Sequence, residues 1–354
     1  NPAHPDGYFV LARALADRGL PVSDSERVLG VVAALRQCLS RLPPPESFTP
    51  GAYATTAFQV AQDLANLYAG NPQQTGGIPG LPVDLPAVRD LTAMVVRTQG
   101  GQTVQVPYHF PVDLAHEAMS LAGRYAEREL TVGAEDAKER REFREQVLKG
   151  LKEQTDRLQA MRQQATDQYR RLAEIDPKPK ARFEAALKSN LTGEAIRLVK
   201  EMPATDLERE FGPELPRRYL QVAALEMVVG RVEDATDDLS GLKELFDAKA
   251  AAPPLAAARP YLSILELQLL VQTGNYEAAG RLLEVVDGRV ASAGVPPAPG
   301  QVLPFGWPMT PAVPVRPGAG GDVLRGAAAG VQPDRPRGGV LLPPRLPGAA
   351  GGGH

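Results

Sequence analysis

The chain has 354 residues, 43% hydrophobic and 23% charged, enough apolar material for one extended array or two compact domains. A net charge of −3 and a pI near 5.9 exclude the domain-scale basic surface that phosphate backbones select, so nucleic acid is not an expected partner. One cysteine, Cys38, excludes an intrachain disulfide and a multi-cysteine metal site, and no stretch approaches the roughly 18 apolar residues of a membrane span.

Residue 1 is Asn rather than Met and no basic, then apolar, leader follows it, which predicts a processed or truncated start. The opening stretch Gly7 to Leu15, followed by Gly19, carries an aromatic at Tyr8, an apolar Leu11 and a small Ala12. A second helix, Ser25 to Leu42, ends at Pro43 and Pro44. Thr49–Tyr68, Asp84–Thr98 and Pro111–Leu130 are further stretches of helix length. Gly70–Pro86 separates the first two and is rich in Gly and Pro. Gln99–Phe110 separates the others and alternates at Val104, Val106 and Tyr108, as a short strand pair or an ordered loop would.

Residues 134–176 read as one long charged helix, stopped by Pro177 and Pro179. With Leu151 at heptad position a, Ala137, Val147, Leu158, Met161, Ala165, Leu172 and Ile175 also fall on a or d. Glu145 with Lys149, Glu153 with Arg157 and Asp167 with Arg171 have the favourable i,i+4 order. The flanking positions carry no consistent charge code, so packing within the chain or a solvated spacer is expected ahead of a homodimer through 134–176.

Beyond this helix a turn residue is followed five positions later by Ala three times: Asn190 with Ala195, Gly230 with Ala235, and Gly274 with Ala279. Apolar helical stretches flank each. Together with the Tyr8–Leu11–Ala12–Gly19 pattern and the Asn1-Pro2 and Pro43-Pro44 repeat ends, these features resemble tetratricopeptide repeats. The downstream intervals are longer than the family's roughly 34 residues, and unrelated helical hairpins sharing only a turn are the competing explanation. The resemblance implies an all-α fold of helical hairpin repeats, an α-solenoid whose concave face, built from first helices, accepts a peptide. On those first helices Arg13, Arg217, Arg218 and Gln221 are the candidate partner-binding residues.

The expected organisation is a helical region at 1–133 beginning with a repeat-like hairpin, the charged helix at 134–176, repeat-like hairpins at 177–293, and a tail at 294–354. The tail is so rich in Pro, Gly and Arg that disorder is expected; it is either genuine or a frame-shifted product of GC-rich coding. Its PxxP matches, starting at Pro308 and Pro311, are of the kind a proline-rich tail produces by chance.

No constellation raises a catalytic expectation. His116-Glu117 lacks a second His one turn on, and His109 and His116 read as surface or capping residues rather than metal ligands. Cys38 reads as a buried structural thiol, which fits a reducing cytosol as well as a disulfide-free secreted protein. Neither a P-loop nor a G-x-G-x-x-G turn after a strand occurs. The expected function is non-catalytic and free of metals and cofactors: a scaffold binding a protein or peptide. The alternatives are a regulatory or substrate-recruiting part of a larger enzyme, and an envelope-associated assembly factor.

Overall fold

The computed structural model describes residues 4–16, 24–70, 80–82, 93–99, 102–131, 138–248, 253–273, 275 and 277–284. These all lie in one compact unit, Asn1–Val295. The 294–354 tail, with its expected disorder, lies outside the described residues, as do the Asn1-Pro2 and Gly19 positions of the first hairpin.

The fold is mostly helical. In chain order the helices are α1 (Pro5–Leu15), α2 (Asp24–Arg41), α3 (Ala57–Ala69), α4 (Val112–Thr131), α5 (Lys138–Ile175), α6 (Pro179–Lys188), α7 (Thr192–Lys200), α8 (Ala204–Phe211), α9 (Leu215–Val228), α10 (Val232–Ala248) and α11 (Pro253–Gln272). Residues 277–284 are also helical. Proline in the first turn starts α1, α6 and α9, where its fixed φ suits the helix and its missing N–H costs nothing.

Two expectations are corrected by this arrangement. The helix expected from Thr49 begins only at Ala57, because Pro50 and Gly51, the latter at φ +80°, turn the chain first. Within the helix expected at Asp84–Thr98, residues 93–98 are strand, and 84–92 lie outside the described residues. Strands β2 (Ala93–Gln99) and β3 (Gln102–His109) pair antiparallel from Ala93 opposite Tyr108 to Gln99 opposite Gln102, and β1 (Leu81–Pro82) pairs with the other edge of β3. A two-residue Gly-Gly link between runs rich in β-branched side chains is a hairpin signal that outweighed helical spacing.

α1 packs on α2, α2 on α3, α3 on α4, and α4 on both α5 and α7. The charged helix α5 has 38 residues, about 57 Å at helical rise, and buries Leu151, Leu158 and Ala165, one heptad apart. In the other set of heptad positions Met161 and Ile175 are exposed while Val147 is half-buried against the core, because α5 lies along α4 with a narrow stripe inward. Asp167 pairs with Arg170 at 3.7 Å rather than with the expected Arg171.

The turns at Asn190 and Gly230 share one construction, and Gly274 lies outside the described residues. Asn190 at φ +59° and Gly230 at φ +81° sit in the left-handed region, and in each turn the next amide reaches back across it, Leu191 N to Ala186 O at 2.9 Å and Arg231 N to Glu226 O at 2.7 Å. After α11, Asn275 N bonds Leu270 O at 2.8 Å. Five residues past each turn position the alanines Ala195, Ala235 and Ala279 are buried, and each amide bonds four residues back at 3.0 Å. Small side chains there let the two helices of each hairpin approach closely. The hairpins are α6 with α7 and α9 with α10; a further helical segment, 277–284, follows α11.

The early and late helices also meet directly. Tyr68 of α3 donates its hydroxyl proton to Val229 O. Gln272 of α11 donates to Leu29 O at 3.4 Å and Met227 O at 3.2 Å, and Val112 N donates to Asn190 O at 3.0 Å. The shared core runs from Ala12 to Leu269, with Tyr68, Tyr125, Phe48, Phe183 and Phe246 fully buried among its largest side chains. No helix of the described residues is long and apolar enough to cross a membrane.

Candidate functional site

α9 carries three of the four candidate partner-binding residues. It is enclosed by α2, α7, α8, α10 and α11, so that from Leu220 to Gly230 every residue is buried. Arg218 and Gln221 are therefore turned inward, not toward a concave face. The Arg218 guanidinium donates to Gln221 Oε1 at 2.9 Å, Glu184 Oε1 at 2.9 Å and Glu214 Oε2 at 3.2 Å, and lies 5.5 and 5.7 Å from the ring centres of Phe183 and Phe211. This fork ties the start of α9 to α6 and α8 from inside, which a point charge on lysine would do less well. Arg217 and Arg13 are exposed; Arg13 lies 4.8 Å over the Phe9 ring. The four candidates thus split into two that shape the fold and two that face solvent, on separate helices.

Several of the most altered titratable groups, Glu226 and Glu129 among them, were not singled out by sequence. Glu226, on the same enclosed helix, has 0% exposure, and Lys200 Nζ from α7 lies 2.7 Å from its Oε1. Asp238 of α10 is 3.6 Å from the same ammonium. Burial, with Asp238 adding to it, pushes the Glu226 carboxyl up to about 8 against the pull of Lys200. The legible signal was a lone carboxylate in the run Val222 to Val229, where solvated-face spacing fails.

A second group lies where β3 meets the α6–α7 turn. His109, expected in a surface or capping role, is fully buried, and its Nε2 is 2.6 Å from Thr192 Oγ1 at the start of α7. Desolvation holds the imidazole down at about 4, so it is neutral at pH 7 and not poised for acid–base work. Beside it, Asp113 of α4 accepts the Glu194 amide at 3.1 Å, capping a helix whose own N-cap, Leu191, cannot. A Cβ on Gly193 would sit 2.9 Å from Asp113 Oδ2, so glycine is needed for this approach. Glu129 of α4 does the same for α3, accepting the Ala57 amide at 2.7 Å, and its burial pushes it up to about 7. Replacing Asp113 by Ala is expected to cost about 1–2 kcal/mol in urea unfolding. Asparagine should recover part of it through its amide oxygen, and an unchanged midpoint for Asp113→Ala would refute the capping role.

His116 meets Arg162 at 3.3 Å. Cys38 is buried, and desolvation pushes its thiol up to about 12, which leaves it inert as a nucleophile at neutral pH. Among the described residues no group of three or more His, Cys, Asp or Glu could hold a metal ion. Comparison with family models, curated proteins and solved structures finds no match.

Proposed function

We propose that the chain is a tetratricopeptide-like scaffold that binds a protein or peptide through the outer faces of its hairpins. The observation that supports this most is the left-handed turn shared by Asn190 and Gly230, each with a reach-back hydrogen bond and a buried alanine five residues on; a bond of the same span, Asn275 N to Leu270 O, and the buried Ala279 follow α11. Such units cannot bury their apolar faces alone and stack for that reason, leaving solvent-facing helix surfaces for recognition. In this reading Arg218 and Gln221 set the angle between hairpins, while Arg13 and Arg217 are the side chains offered to an acidic partner.

Affinity capture with the full chain from its native source, followed by cross-linking and mass spectrometry, tests the proposal. A stoichiometric polypeptide cross-linked to α1, α6, α10 or the first turn of α9 is the supporting result; the absence of any such polypeptide sinks it. With a partner in hand, Arg13→Glu and Arg217→Glu should each weaken binding about tenfold or more while leaving the unfolding midpoint in place. A variant that binds normally removes that arginine from the surface.

A further inference from the structure

Three helices from two successive hairpins converge on Glu226. From α7 comes Lys200, half-exposed and touching both carboxylates. From α10 comes Asp238, with Asp234 also acting on Lys200. On α9 itself Tyr219 lies near Asp238 and near Glu208 of α8. α11 packs on α9, where Gln272 bonds Met227 O at 3.2 Å; it also carries Gln268, whose Oε1 is buried, and Glu266, which bonds Lys243 of α10 at 2.9 Å. α2 approaches through Val32, whose carbonyl lies against Gly230, and carries Arg36, which acts on Tyr68.

Protonated, Glu226 leaves one ammonium and one carboxylate, Lys200 and Asp238, and that balance suits a closed interface. Once ionised, two carboxylates share one ammonium, and Glu226 has no solvent contact to make up the difference. With one ammonium between two carboxylates, the buried anion is only partly compensated, and letting water into the α7–α9–α10 seam relieves the remainder. We infer that Glu226, Lys200 and Asp238 form a proton-operated latch between the α6–α7 and α9–α10 hairpins, closed when Glu226 is protonated and loosened when it is not.

The sign follows from burial. The folded-state value of about 8 lies above the 4.5 of the exposed carboxyl, so the stabilisation is fully present below pH 4.5 and is lost as pH rises through about 8. The latch therefore works across the neutral to mildly alkaline range, and it does not depend on which partner the scaffold binds.

The test is amide hydrogen exchange and urea unfolding of the full chain between pH 6 and 9, for wild type, Glu226→Gln, Lys200→Met and Asp238→Asn. Over the range pH 6 to 8, the wild-type unfolding constant should rise with pH about tenfold per unit more steeply than that of E226Q, as expected for one linked proton. Protection corrected for intrinsic exchange should fall with pH in α7, α9 and α10 of the wild type and stay level in E226Q. Removing the ammonium in K200M should move the transition to higher pH, and removing the repulsion in D238N should move it lower, shifts that a purely packing role would not produce. Equal slopes for wild type and E226Q, or a loss of protection spread evenly over the chain, would overturn the latch.

Discussion

Gly230→Ala is expected to destabilise the fold by about 3 kcal/mol, seen as a lower urea midpoint at unchanged slope. Two effects add. The residue sits at φ +81°, where an L side chain is strained, and its Cβ would meet Val32 O at 2.9 Å and Val32 Cγ1 at 3.0 Å. The carbonyl belongs to α2 and cannot swing aside without opening the helix, so the hairpin would have to move off α2. Gly51→Ala separates the two effects: φ is +80° but nothing lies within 4 Å, so strain alone, about 1–2 kcal/mol, is expected. Equal losses at both positions would show that contact with α2 contributes nothing.

Arg218→Ala is expected to cost about 3–5 kcal/mol, the usual penalty for removing one partner of a buried charged network. The loss leaves Gln221 without its donor, takes the Glu184 and Glu214 carboxylates off their shared cation, and removes the cation packed against the Phe183 and Phe211 rings. Arg218→Met, which keeps the volume, should recover a large part. Its neighbour Arg217 is exposed, and Arg217→Ala should stay within about 0.5 kcal/mol of wild type. If the two alanine variants unfold at the same urea concentration, the inward fork has no energetic role.

How far the sequence could be read depended on the range of the interaction concerned. Turn chemistry is local, so Asn190 and Gly230, each with its alanine five residues on, mark true chain reversals by residue type and spacing alone. The ends of α2, α4 and α5 were legible for the same reason, from proline and apolar spacing. The strand at residues 93–99 was lost because Met94, Val95 and Val96 satisfy a helical face and a buried strand alike, and pairing with β3 decides between them. Which side of α9 faced inward was out of reach. Its first turn offers Arg217 and Arg218 in succession, and only the enclosing α2, α7, α8, α10 and α11 make one structural and the other exposed. The roles of Asp113 and Glu129 were hidden too, since a carboxylate that caps a helix elsewhere in the chain leaves no mark next to that helix.

Those caps belong with Tyr68 on Val229, Gln272 on Leu29 and Met227, and Val112 on Asn190, all contacts in which at least one side is main chain. A carbonyl or amide is present whatever side chain its residue bears. In the joints made by a side chain, chemical identity is demanded of that one residue, while the other answers only to backbone shape and space. Substitutions at Leu29, Ala57, Glu194, Met227 or Val229 can therefore accumulate without loosening the joint, so long as their own packing is kept, whereas Tyr68, Asp113, Glu129 and Gln272 cannot drift. The architecture can outlast the text that encodes it.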